Sequence, residues 1–192
     1  LSPHDNQLTT LPPEIGKLTK LTHLGLGENP FTTLPPEIGQ LTNLLWLYLE
    51  GNQLTTLPPE IGQLTKLTGL SLHGKKFTTL PSEIGQLTKL VYLGLGGNQF
   101  TTLPAEIGQL ADLTWLYLEG NQLTTLPPEI GKLTKLTELQ IEKNPLTDTD
   151  LEHLKSLKSL RRLNVRDTKV TMAGVEAFRK ALPNCEVKVP RQ

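Results

Sequence analysis

The 192 residues include one cysteine, Cys185, which excludes an intramolecular disulfide. Asparagine is frequent, yet none is followed by the x-Ser/Thr of a glycosylation acceptor. Both absences favour a reducing compartment or a bacterial source over a eukaryotic cell surface. Histidine is scarce. His4, His23, His73 and His153 lie far apart, no carboxylate or thiol completes a metal-ligand set with them, and no metal or other cofactor is expected. No apolar run approaches the ~18 residues that a membrane-spanning helix needs. Net charge is zero, so no global field draws nucleic acid or an anionic membrane, and neither is expected as a partner. The charge is nevertheless uneven: residues 161–192 hold eight Lys and Arg against three Asp and Glu. The chain opens on Leu1, in the middle of a sequence unit, and so reads as a fragment or a processed form.

What is abundant is leucine at fixed places. The same template begins at Leu18, Leu41, Leu64, Leu87, Leu110 and Leu133, a constant spacing of 23 residues. A period in the twenties means a solenoid, because one such unit cannot bury its apolar face without a neighbour. Around Leu47-Tyr48-Leu49 the apolar residues alternate, which predicts one short strand per unit with one side inward and the other outward. The twelfth residue is Asn at positions 6, 29, 52, 98, 121 and 144. Its amide is suited to pair with buried backbone groups of the adjacent turn. The Leu-Pro-x-Glu-Ile-Gly half supplies the return: Pro fixes φ and stops strand pairing, Ile fills the core, and Gly is expected to permit a tight turn.

The full pattern, L-x-x-L-x-x-L-x-L-x-x-N-x-(L/F)-x-x-L-P-x-x-I-G-x, resembles the leucine-rich repeat family. It is most similar to the 23-residue class seen in bacterial proteins, in plant Ras-group-related proteins and beside GTPase domains in Roco proteins. The resemblance implies an α/β repeat solenoid: a right-handed arc with a concave parallel β-sheet, an irregular or 3₁₀ convex side and a helical C-terminal cap. Many secreted members close their ends with paired cysteines, which this chain lacks. A cytoplasmic protein is slightly favoured over a secreted bacterial one.

Residues 1–146 carry the repeats, the first truncated, and residues 147–192 diverge into the last repeats and the cap. Pro3 replaces a strand Leu, which is tolerated at an edge strand and marks either the end of the sheet or a cut through a longer array. Lys75 stands where the template wants Asn, so the loop around it is expected to shift outward. Thr147-Asp-Thr-Asp150 reads as a capping box opening a helix to about Leu154. Thr171 then caps a second helix with Val175, Phe178 and Leu182 on one face. Leu182, Cys185 and Val187 repeat the spacing of Leu160, Leu163 and Val165 and predict a final strand, with Cys185 in the core.

No nucleophile–base pair accompanies Cys185, and Gly25-Leu-Gly27 and Gly94-Leu-Gly96-Gly97 lie in strand halves, not ahead of a helix. An enzyme is not expected. The row Glu14, Glu37, Glu60, Glu83, Glu106 and Glu129 reads as a solvated convex face, and Arg161, Arg162, Arg166, Lys169, Arg179 and Lys180 as a solvated cap end. The outward strand positions differ. The sixth column runs His23, Trp46, Gly69, Tyr92, Trp115, Glu138, Arg162, and the eighth Gly25, Tyr48, Ser71, Gly94, Tyr117, Gln140, Asn164. Every Trp and Tyr falls in these columns, whereas Phe31, Phe77 and Phe100 take a core position. Rigidly held exposed aromatics are typical binding anchors. The expectation is a monomeric module binding a protein or peptide through Trp46, Tyr48, Glu50, Tyr92, Trp115, Tyr117, Glu119 and Glu138. Two aromatic walls are predicted to flank a slot floored by Gly69, Ser71 and Gly94. The alternatives are the recognition arm of a larger enzyme, a Roco-type GTPase or bacterial effector ligase, and a bacterial surface adhesin.

Overall fold

The computed structural model describes residues 8–74 and 76–189. The expectations for Pro3, His4, Asn6 and Lys75 itself lie outside these residues. Each repeat contributes one three-residue strand: β1 (His23–Gly25), β2 (Trp46–Tyr48), β3 (Gly69–Ser71), β4 (Tyr92–Gly94), β5 (Trp115–Tyr117), β6 (Glu138–Gln140), β7 (Arg162–Asn164) and β8 (Glu186–Lys188). They form one open, all-parallel sheet in sequence order. The central leucines pair in register, Leu24, Leu47, Leu70, Leu93, Leu116 and Leu139 lying side by side and continuing through Leu163 to Val187. All of these are buried, so a single apolar spine runs the length of the molecule.

The return half of each repeat is a single 3₁₀ turn, at Pro13–Lys17, Pro36–Gln40, Pro59–Gln63, Ser82–Gln86, Ala105–Gln109 and Pro128–Lys132. Successive turns stack so closely that a Cβ at Gly39 would lie 2.7 Å from the Glu60 carbonyl oxygen. Close approach of the neighbouring turn, not a left-handed backbone, therefore explains the Gly of Leu-Pro-x-Glu-Ile-Gly, which corrects the tight-turn expectation. The left-handed residue of the repeat is instead the eleventh, at Glu28, Gly51, Gly97, Gly120 and Lys143, with φ between 54° and 70°. Gly74 occupies the same column without a positive φ. Gly74 nevertheless keeps the hydrogen bond of its column, its N–H donating to the Gly96 carbonyl at 3.2 Å.

The buried asparagines act as expected. Asn98 donates to the carbonyl oxygens of Leu72 (2.8 Å) and Leu95 (2.9 Å) and accepts from the Phe77 N–H (3.2 Å). Asn52, Asn121 and Asn144 repeat the arrangement. Each amide ties two consecutive turns and satisfies backbone groups that would otherwise be buried and unpaired.

Helix α1 (Asp148–Leu154) begins where the capping box predicts. The Asp150 carboxylate, 2% exposed, accepts from the N–H groups of Thr147 (2.8 Å) and of Leu126 one repeat earlier (2.8 Å). Helix α2 (Met172–Ala181) is capped by Thr171, whose hydroxyl accepts from the Gly174 N–H, and buries Val175 and Phe178. The last strand departs from the expected alignment. Val187 pairs with Leu163, so Cys185 falls near the Leu160 position and not opposite Leu163. The strand is reached one residue sooner than in the preceding unit, and Cys185 is buried all the same. At the other end Leu18 is 46% exposed, whereas the other five leading leucines are fully covered by a preceding unit.

Candidate binding face

Parallel register sets the outward residues in straight rows across the sheet. His23, Trp46, Gly69, Tyr92, Trp115, Glu138, Arg162 and Glu186 form one row, and Gly25, Tyr48, Ser71, Gly94, Tyr117, Gln140, Asn164 and Lys188 the other. With neighbouring strands about 4.8 Å apart, rings on adjacent or alternate strands can touch. They do. Trp46 meets Tyr92, two strands away, at 5.8 Å, and Tyr92 packs edge-on against Tyr117 of the adjacent strand at 5.5 Å, while within β2 Trp46 also stacks on Tyr48 with centroids 5.6 Å apart. Trp115, 37% exposed, stands beside them on β5 between Tyr92 and Glu138.

This contradicts the open slot. Trp46 leans over Gly69, where a Cβ would lie 2.1 Å from its ring, and His73 and the Tyr92 hydroxyl cover Gly94 in the same way. Gly69, Ser71 and Gly94 are accordingly buried. Small residues opposite large ones leave room, and the large ones fall into it, because burying an aromatic face stabilises more than leaving it upright in water. The surface is a continuous aromatic band over a glycine floor.

The carboxylates of the predicted set part company. Glu138 is already engaged: it accepts from Arg162 Nε (2.7 Å), Gln140 Nε2 (2.9 Å) and the Tyr117 hydroxyl (3.3 Å). Glu50 lies over Gly27, and Glu119 over Gly96, its Oε1 3.7 Å from His73 Nδ1. His73 Nε2 is 3.1 Å from the Tyr92 hydroxyl, which links the aromatic band to the acidic edge. Among the described residues one oxygen each of Glu50, Glu119 and Glu142 is shut from water without a hydrogen-bond partner. Burial, with the charges of Tyr117, Glu119 and Glu50 adding to it, pushes the Tyr92 phenol up to about 12. Burial likewise raises Tyr117, Glu138 contributing, and lifts Glu142 above its ordinary value.

His73 belongs to this edge and was not among the predicted site residues, whereas Glu142 extends the acidity of Glu119 as its place in the repeat implies. Continuing the outward alternation to the tenth position gives Gly27, Glu50, His73, Gly96, Glu119, Glu142 and Arg166, a third row that two columns alone do not reveal. Two adjoining depressions open along it. One of about 460 Å³ is bounded by Glu28, Glu50, Gly51 and His73, and one of about 380 Å³ by His73, Gly97, Glu119, Gly120 and Glu142. Elsewhere, burial pushes the Cys185 thiol up to about 11, far from a reactive thiolate at neutral pH. Among the described residues no group of three or more His, Cys, Asp or Glu could hold a metal ion, and no helix is long and apolar enough to cross a membrane.

A family model described as a leucine-rich repeat region matches residues 6–91 and 82–180. The chain belongs to the leucine-rich repeat family. No curated protein matches it. Among solved structures, a leucine-rich repeat protein of Leptospira interrogans is similar at 33% identity and TM-score 0.57 over 98% of this chain and 60% of its own. Internalin C2 of Listeria monocytogenes superposes at TM-score 0.83 with 25% identity, over 100% of this chain and 79% of its own. A plant peptide hormone receptor, solved in complex with RGF2, does so at TM-score 0.79 with 28% identity, over 95% of this chain and 30% of its own. The chain thus spans 60% of the Leptospira protein's length and a smaller part of the plant receptor's. The fold is one whose members commonly bind proteins or peptides, as the plant receptor does.

Proposed function

We propose that the chain is a protein- or peptide-binding module whose concave aromatic band is the contact surface. The observation that carries this reading is the segregation of aromatic types. Phe31, Phe77 and Phe100 are buried in the spine, whereas Trp46, Tyr48, Tyr92, Trp115 and Tyr117 are partly exposed on one face. Rings that only filled space would join the Phe residues in the core. Trp and Tyr bring large contact area with few rotors, so little entropy is lost on docking.

The test uses peptide ligands selected against the whole chain from a random displayed library. Trp46→Ala and Trp115→Ala should each weaken the selected ligands at least about tenfold, the usual effect of losing an interfacial anchor. Glu60→Ala and Glu106→Ala on the convex side should leave affinity unchanged. Ligands that bind both Trp variants as tightly as the parent would place the site elsewhere, the basic cap being the next surface to examine.

A further inference from the structure

The edge beside the aromatic band is a place where negative charge is confined and only partly answered. Glu119 and Glu142 sit on adjacent strand ends, at the same position of consecutive repeats, around a depression of about 380 Å³. Gly96, Gly97 and Gly120 line it with no side chain to fill it. Each carboxylate has one oxygen shut from water and unpaired among the described residues, and so does Glu50 on the far side of His73. A carboxylate oxygen shut from water without a partner is costly, and no ion pair or side-chain hydrogen bond is made to these three oxygens among the described residues. The lysines near the depression are the exposed Lys143, which lines it, and Lys188, whose charge also acts on Glu142, while the His73 imidazole lies 3.7 Å from Glu119. Arg162 is taken by Glu138. Burial above all, and then the charges of Tyr117, Glu119 and Glu50, oppose ionisation of the nearby Tyr92 phenol.

We infer that this depression receives a cationic side chain of the bound segment, arginine fitting best, between Glu119 and Glu142, while an adjacent apolar residue of the same segment lies on Tyr92 and Tyr117. This rests on the concave face being the binding surface. Charge complementarity selects the occupant: an anionic segment would meet three partly desolvated carboxylates, and a neutral one would leave them unanswered. Arginine suits the site better than lysine because a planar guanidinium presents several N–H groups in a fixed fork and can bridge two carboxylates.

The experiment begins with the library-selected peptides. They should carry Arg or Lys next to an apolar residue. Replacing that Arg by citrulline, which keeps its shape and removes its charge, should weaken binding at least about tenfold. The Glu119→Gln/Glu142→Gln variant should bind the two peptides almost equally, because a double-mutant cycle assigns the lost difference to this contact. Circular dichroism checks that the variant folds, and Glu119→Gln alone provides the same cycle should the double substitution not fold. Binders that lack a basic residue but lose affinity on Trp115→Ala would overturn the cationic pocket and leave the aromatic face standing. Equal affinity of the Arg and citrulline peptides for the parent would do the same. Binders indifferent to both Trp variants, or no enrichment at all, would contradict the pocket and the binding face together.

Discussion

At the scale of single residues, what the concave face can do depends on pairs that a one-dimensional pattern conceals. Gly69 looks like floor, but its missing Cβ is what allows Trp46 to lie down across β3. Gly69→Ala should therefore lift the Trp46 ring, lowering stability by about 1 kcal/mol, the scale of an aromatic contact. Tryptophan emission should shift to the red, and an unchanged spectrum would mean that the ring does not rest there. Tyr92 offers a pH test. Its pKa in the folded chain, about 12, lies above the ordinary 10.0, so the folded state holds the phenolic proton more tightly. The associated stability is complete below about pH 10 and is lost as pH rises toward 12, because between those values the unfolded chain binds fewer protons than the folded one. Tyr92→Phe should flatten that alkaline decline, as followed by chemical denaturation at successive pH values. Lys75 is the third case. An amine cannot accept the backbone bond that Asn52 and Asn98 accept, and Gly74 beside it leaves the left-handed conformation of its column. Lys75→Asn should raise stability by about 0.5–1.5 kcal/mol, the net worth of a recovered hydrogen bond. A lowered melting temperature would count against this.

At the scale of elements, the strands, the 3₁₀ returns and both helix starts are legible in the sequence, because each follows from a local rule repeated many times. The Thr147–Asp150 box marks the start of α1, and Thr171 that of α2. What local rules do not carry is how one turn meets the next. The Asp150 carboxylate does more than cap its own helix, since it also accepts from Leu126 in the preceding repeat and so fastens the cap to the array. Asp150→Ala should cost about 1–3 kcal/mol, the price of leaving buried N–H groups unpaired, as measured by denaturant unfolding. A loss confined to a few tenths would mean that water reaches these groups. For the same reason the alignment of Cys185 with Leu163 is plausible from spacing and wrong in register, because strand pairing and not the count of intervening residues fixes it. The slot between aromatic walls fails likewise: side-chain columns follow from the repeat, but the direction in which a Trp ring falls depends on the size of its neighbour across the ladder.

At the scale of the whole molecule, one spine and one sheet join every repeat to its two neighbours, and the aromatic band and acidic edge lie together on the side that the sheet presents. Both tryptophans, Trp46 and Trp115, belong to that side, so the intrinsic fluorescence of the chain reports on the concave face alone. The most direct measurement is therefore a titration of the parent with a library-selected peptide free of tryptophan, following emission and binding heat together. The account predicts that the emission changes in step with the heat, and that Trp115→Phe removes a large part of the change. Full binding heat with tryptophan emission unmoved would contradict it.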